Sequence, residues 1–352
     1  MIDLRSDTLS FPSAEMLQCA LTAPLGDAGR IDESGRGGDP TVNHLEDYAA
    51  ALFGKERAML TPSGTMGNHC ALLTWCKPGD KVLVDTRQHL YRTEKAAFSP
   101  QFGQLQPVFY HLDENGLPDL EEIEKLIQQE SPALLCLENT HNNMGGTCLP
   151  METLARLHML AKQNHIPIHM DGARLFNAAQ MLHVEPTEIC RYADSVMVCA
   201  SKGLGAPMGS LVCGSREFIL SAQSTRKLLG GNLRQAGVIA AMMEYALRHN
   251  PALLAEDHRR TQQLWQLLEP LKNLQRPAHV QTNMIMLETF PTGCNADDVI
   301  ALAKKLGLFL SKASDFCVRI VLYQGISDSD VRQAAEILLS LDRSLSAQNL
   351  SQ

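Results

Sequence analysis

The chain has 352 residues, 45% of them hydrophobic, 20% charged and only 5% aromatic. That composition excludes disordered, collagen-like and small disulfide-stapled classes, and the length suits roughly two domains. With 31 Lys+Arg against 39 Asp+Glu the net charge is −8, which argues against a nucleic-acid backbone as the main partner and leaves room for a local basic pocket.

The ten cysteines are scattered, with no CxxC pair, so zinc ribbons and redox motifs are absent and a reducing compartment fits. Several lie in apolar runs, such as 134–137 and 196–200, where a thiol behaves as a small hydrophobe. The first residues, Met-Ile-Asp-Leu-Arg-Ser-Asp-Thr, are charged where a signal peptide would be apolar. The longest uncharged apolar stretches, 237–243 and 284–287, are too short to span a bilayer. A soluble cytoplasmic protein, with neither nucleic acid nor membrane as partner, is expected.

No internal repeat is visible. Asp39-Pro40 followed by Val42, Leu45, Ala49 and Leu52 predicts a helix over 40–53. A short strand over 57–60 runs into Thr61-Pro62-Ser63-Gly64-Thr65-Met66-Gly67-Asn68, with a helix over 66–75 behind it. Small residues before a helix N-terminus either cradle a phosphate or simply cap the helix. No Gly-Lys-Ser/Thr follows, so the loop is not a Walker A motif.

Strands are predicted over 81–84, 106–110, 133–137, 167–170, 195–198 and 209–213, and helices over 119–129, 151–164 and 185–192. Short apolar strands separated by helices indicate a largely parallel sheet covered on both faces, with the ligand at the carboxyl ends of the strands. The strand over 167–170 ends in Asp171-Gly172-Ala173-Arg174, which is either a pair addressing one planar ligand or a cap plus a surface arginine. The strand over 195–198 runs into Ser201-Lys202-Gly203-Leu204-Gly205, where Lys202 is either a solvated loop residue or a reactive amine with space cleared around it.

Beyond residue 216 the pattern changes. Helical stretches over 234–248 and 251–271 precede a strand over 283–288, a helix over 296–306, a strand over 317–322 and a last helix over 328–346. This reads as a smaller α+β domain, and the division expected is an N-terminal segment 1–20, a large α/β domain 21–245 and a small domain 246–352.

Taken jointly, the three loops imply one ligand with a phosphate for residues 63–65, a ring nitrogen for Asp171 and an aldehyde for Lys202. Pyridoxal 5′-phosphate has those three handles.

The sequence resembles the threonine aldolase family of fold-type-I, aspartate-aminotransferase-like pyridoxal-phosphate enzymes over essentially its whole length. The matching stretches lie at 2–8, 39–43, 62–68, 137–142, 170–177, 201–207 and 230–237. The resemblance implies that Lys202 forms the Schiff base, that Asp171 pairs with the pyridinium nitrogen, and that Arg174 lies near the phenolic oxygen or the phosphate. Ser63, Gly64 and Thr65 would hold phosphate. His89 would stack on the ring and serve as a base for the substrate hydroxyl. Ser6 and Arg319 would grip the substrate carboxylate. Lys227 and Arg234 would reach the phosphate of a neighbouring subunit, making the protein a homo-oligomer, a dimer or tetramer with shared sites. No metal is expected.

Three stretches depart from the family pattern. The glycine-rich loop 26–38 replaces a shorter segment containing a tyrosine. Gln128-Gln129-Glu130-Ser131-Pro132 stands where many members carry a His-Phe-Ala segment, so that His141, a water or His89 alone would deprotonate the substrate. Leu322-Tyr323-Gln324-Gly325 replaces Thr-His-Leu-Asp after Arg319. The activity implied is cleavage of a β-hydroxy-α-amino acid, of the L-threonine or L-allo-threonine type, to glycine and an aldehyde. The alternatives are a β-eliminating lyase or an aldolase for another β-hydroxy amino acid on the same scaffold, and a pyridoxal-binding protein without turnover.

Overall fold

The computed structural model describes residues 1–349. Its contacts divide the chain into two units. The larger holds Phe11–Asn142 and Cys148–Pro251; the smaller holds Met1–Ser10, Asn143–Thr147 and the chain from Ala252 onward.

In chain order, β1 (Ile2–Asp3) belongs to the smaller unit, and α1 (Ala14–Thr22) opens the larger one. The predicted helix at 40–53 is α2 (Pro40–Leu52). Asp39 caps it, one carboxylate oxygen accepting from Thr41 N and Val42 N at 3.1 Å, with Pro40 pre-set for the first turn. The other oxygen accepts from Gly26 N at 3.1 Å and Gly237 N at 3.0 Å, so one buried side chain ties down the start of the glycine-rich loop.

The remaining elements of this unit are β2 (Arg57–Thr61), α3 (Gly64–Trp75), β3 (Lys81–Asp85), β4 (Gln106–Tyr110), α4 (Leu120–Glu130), β5 (Leu134–Glu138) and α5 (Met151–Gln163). They continue with β6 (Ile168–Asp171), α6 (Leu175–Leu182), α7 (Pro186–Cys190), β7 (Ser195–Cys199), β8 (Ser210–Gly214), α8 (Arg216–Leu228) and α9 (Gly237–His249). The strands form one seven-stranded sheet in the order β2-β8-β7-β6-β5-β3-β4.

All its pairings are parallel except those of β8, which is antiparallel to both β2 and β7. The mostly parallel sheet expected from the apolar runs is therefore present. Because β8 reverses between them, β2 and β7 point the same way, and the carboxyl ends of β2, β3, β5, β6 and β7 share one edge. Every loop singled out for chemistry in this unit except residues 227 and 234 leaves from that edge.

Aliphatic side chains fill the core, as the 5% aromatic content requires. Met59, Cys70, Met197, Val212 and Ile219 pack between α3, α8 and the sheet. None of the ten cysteines is in a disulfide and eight are buried, and burial pushes the thiols of Cys70, Cys76, Cys148 and Cys190 up to about 12. They act as small core residues rather than nucleophiles.

The smaller unit contains α10 (Leu254–Leu267), β9 (Met284–Glu288), α11 (Ala296–Lys305), β10 (Leu308–Phe309), β11 (Ser311–Ser314), β12 (Cys317–Val321) and α12 (Asp328–Asn349). A three-stranded antiparallel sheet, β11-β12-β9, and the parallel pair β1-β10 carry a core of Leu4, Leu264, Ile285, Ile320 and Leu338. Among the described residues no helix is long and apolar enough to cross a membrane.

Candidate active site

The loop after β2 carries Ser63, Gly64 and Thr65 onto the first turn of α3. Ser63 is the cap, its hydroxyl oxygen accepting from Met66 N at 3.2 Å, while Ser63 and Thr65 stay exposed. Three facts make this a place for an anion: free first-turn N–H groups, a twelve-residue helix behind them, and two hydroxyls. Gly64 is required for packing: a Cβ there would sit 2.7 Å from Cys199 Sγ at the end of β7. Glycine thus lets the start of α3 lie directly against the strand that leads to Lys202.

Lys202, half-buried, and Arg174, 6% exposed, lie near enough to that same thiol for their charges to act on it. Burial raises the Cys199 thiol, and the nearby charges of Lys202, Asp171 and Arg174 act on it. The loops after β6 and β7 thus bring charged residues within electrostatic reach of one buried thiol. Arg174 donates from Nη1 to Asn142 Oδ1 at 3.0 Å.

Asp171, the last residue of β6, is 2% exposed and entirely held by donors. One oxygen accepts from Ala173 N and the other from Asn68 Nδ2, each at 3.0 Å. His89 stands on the loop after β3, at the start of a π turn spanning Leu90–Glu94. That turn brings residues five apart together, so His89 Nδ1–H donates to Glu94 Oε1 at 3.1 Å. The Glu94 side chain is 3% exposed, and His89, Glu94 and Asp171 each bring a ligand atom within 4.8 Å of the others. Asn68 lies among them, its amide nitrogen also donating to Glu94 at 3.1 Å and 3.3 Å. Burial lowers the His89 imidazole, but the Glu94 hydrogen bond and the charges of Asp171, Glu94 and Glu138 outweigh it and hold the ring above its ordinary value.

His141 sits deeper. It is 4% exposed, with Nε2 3.2 Å from Asp85 Oδ2 and with Nδ1 buried and unpartnered. Beside it, Glu138 accepts from His89 N and Asn142 N at 2.8 Å. Burial raises the Glu138 carboxyl, and the His141 charge opposes that.

Lys227 is exposed on the last turn of α8. Arg234 is also exposed, and its Nη1 lies 3.0 Å from Asp27 of its own chain. Arg226, next to Lys227, is 6% exposed and donates to Leu60 O at 2.6 Å. In the smaller unit Ser6 Oγ accepts from Thr8 N at 3.2 Å, and Arg319 donates to Ser311 Oγ at 3.3 Å and to Arg5 O at 3.4 Å. That places the Arg319 guanidinium against the residue preceding Ser6.

Sequence reasoning missed Asn68, Glu94, Glu138 and Asp85. Asn68 stood inside a matched stretch, and Glu94 follows His89 at a spacing that a search for i+3 and i+4 partners passes over.

A family model described as beta-eliminating lyase matches residues 3–289. The chain belongs to the beta-eliminating lyase family. Low-specificity L-threonine aldolase 1 of Arabidopsis thaliana is 37% identical over 340 residues, 94% of this chain and 93% of that protein. The low specificity L-threonine aldolase of Escherichia coli K12 is 42% identical over 263 residues, 73% of this chain and 76% of that protein. The structure of Leishmania major threonine aldolase superposes with a TM-score of 0.78 over 98% of this chain and 100% of that one, at 16% identity. The family's fold-type-I architecture is therefore the fold of this chain.

The donor set fits the pyridoxal phosphate of such enzymes. It offers a helix N-terminus for the phosphate, a buried carboxylate whose hydrogen-bond partners are N–H donors for the ring nitrogen, and a half-buried lysine within electrostatic reach of Cys199.

Proposed function

We propose that the chain is a pyridoxal-phosphate-dependent carbon–carbon lyase that cleaves a β-hydroxy-α-amino acid of the L-threonine or L-allo-threonine type to glycine and an aldehyde. The observation that carries this reading is the His89–Glu94 pair, set within 4.8 Å of Asp171. Splitting the Cα–Cβ bond requires removal of the β-hydroxyl proton, and a neutral imidazole whose Nδ1–H is fixed by a carboxylate presents Nε2 as the base. The names of the relatives from Arabidopsis and Escherichia coli support the same activity.

Lys202 would hold the cofactor covalently, and the bound group would supply an electron-poor ring able to accept the electron pair released at Cα. The residues do the rest. Asp171 holds a proton on the ring nitrogen. Ser63, Gly64, Thr65 and the α3 N-terminus bind the phosphate, with Arg174 beside them. Ser6 and Arg319 bind the substrate carboxylate, a task for which the planar guanidinium fork is suited. His89 takes the hydroxyl proton. His141, with Nε2 engaged by Asp85 and Nδ1 buried, suits a supporting role at the substrate better than that of base.

Lys227 and Arg234 are assigned to the phosphate of a second copy, in a homodimer or homotetramer. A cytoplasmic location agrees with ten cysteines that form no disulfide.

The second reading, β-elimination with chemistry at Cα–H, is favoured by the changed stretch 322–325 and by the family description. Incubating the holoenzyme with L-allo-threonine, phenylserine and serine, and assaying glycine against ammonia, separates the two. Glycine plus aldehyde supports the aldolase; ammonia without glycine rejects it.

A further inference from the structure

His169 is wholly buried, unused by the chemistry above, and linked to Asp171 through one side chain. It lies on β6 directly opposite Ser195 of β7. The links are all hydrogen bonds: Trp75 Nε1 to Ser195 Oγ at 2.8 Å, Ser195 Oγ to His169 Nδ1 at 2.9 Å, His169 Nε2 to Asn68 Oδ1 at 3.1 Å, and Asn68 Nδ2 to Asp171 Oδ2 at 3.0 Å. Asn68, His169 and Ser195 are each 0% exposed.

The direction of every link follows from its far end. An indole N–H only donates, so Ser195 Oγ accepts from Trp75, and its hydroxyl proton is left for His169 Nδ1. That makes Nδ1 the acceptor, so Nε2 carries the hydrogen and donates to Asn68 Oδ1. Both hydrogens of the Asn68 amide are then turned to the carboxylates, one to Asp171 and one to Glu94. Burial pulls the His169 ring down to about 4, so it carries the single N–H that this pattern requires. A flipped Asn68 would aim its oxygen at two carboxylates and its N–H group at the His169 N–H.

We propose that His169 is a positioning residue: by fixing the Asn68 amide it holds the Asp171 carboxylate in the orientation that receives the cofactor's ring nitrogen. This rests on the reading that pyridoxal phosphate binds beside Asp171. A purely structural role is the competing account, because Asn68 and Trp75 both belong to α3 and the same links fasten that helix to the sheet.

The test is the dissociation constant of pyridoxal phosphate, obtained by titrating the apoprotein and following the visible absorbance band, with the melting temperature measured alongside. Loss of the neutral hydrogen bond that orients the Asn68 amide predicts that His169→Phe weakens binding by up to about tenfold. His169→Gln offers an N–H to Asn68 and an oxygen to Ser195, so it should bind within about twofold of the parent chain. In an Asp171→Asn background, His169→Phe should add nothing, because its effect passes through Asp171.

Unchanged binding in His169→Phe, or a full His169→Phe effect persisting in Asp171→Asn, overturns the proposal. Should His169→Phe not fold, Ser195→Ala carries the test: it frees the imidazole tautomer and should weaken binding in the same direction, and unchanged binding rejects the proposal. Trp75→Phe cuts the fastening but leaves the Ser195 hydroxyl to His169, so it should lower the melting temperature without changing the dissociation constant. If Asp171→Asn itself binds as tightly as the parent chain, the cofactor reading has failed, an outcome distinct from failure of the His169 link alone.

Discussion

Glu94 holds the His89 ring from the Nδ1 side at 3.1 Å, across a single π turn, and so decides which ring nitrogen is left to work. The same contact sets when that nitrogen is available. Burial lowers the imidazole, the Glu94 bond and three surrounding carboxylates raise it further, and the net lies above the ordinary value of about 6.5. A base must be neutral, so activity should fall as the pH drops through a value above about 6.5. Glu94→Gln removes the charge-assisted bond, so the acid limb of kcat should move to lower pH. The rate at its plateau should drop roughly tenfold to a hundredfold as the ring loses its orientation. A pH–rate profile of both proteins checks this; an acid limb that stays in place would remove Glu94 from the mechanism.

Lys202 is the point at which cofactor chemistry stands or falls. Lys202→Ala should lose both the visible absorbance of the bound cofactor and all measurable turnover, while far-ultraviolet circular dichroism stays that of the parent chain. Retained turnover in that variant would contradict the lyase assignment at its root.

Much of the fold could be read from apolar runs alone, and particular residues show why. Strands β3 and β7 fall within a residue of expectation because strands buried on both faces are uninterrupted hydrophobic stretches. Helices α2 and α4 begin where Asp39 and Asp119 cap them. The reversal of β8 was not legible, since an apolar run carries no direction. Helix α8 was missed because it buries Gln223 and Arg226, polar residues that erase the amphipathic pattern.

The site divides in the same way. Lys202, Asp171 and the residues at 63–65 each follow a strand and carry a local motif. Asn68 meets both Asp171 and His169 across about a hundred residues of chain, through contacts that only the folded sheet creates.

Arg319 tests the substrate end separately from the cofactor. Its guanidinium already holds two oxygens of its own unit, Ser311 Oγ at 3.3 Å and Arg5 O at 3.4 Å, so it is oriented before substrate arrives. Lysine preserves the charge but not the planar fork. Arg319→Lys should therefore raise KM for the amino acid roughly tenfold or more and leave the dissociation constant of pyridoxal phosphate unchanged. A parallel loss of cofactor binding would assign Arg319 to the cofactor instead.

Asp257 on α10 gives the smaller unit a pH-dependent weakness. The side chain is 1% exposed, and its Oδ2 is buried without a partner. Burial, and then the like charge of Asp7, push its carboxyl up to about 7. An unfolded aspartate releases its proton near about 3.9, so between there and about 7 the native state binds more protons than the unfolded one. Stability contributed by this group is complete below the lower value and is lost as the pH rises through the upper one. The full loss is on the order of 4 kcal/mol, since three units at about 1.4 kcal/mol each separate the two states. Asp257→Asn cannot ionise, so the melting temperature of the variant relative to the parent chain should rise steadily between about pH 4 and pH 7 and level off above. A difference that is flat across that range would show that Asp257 does not keep its proton in the native protein.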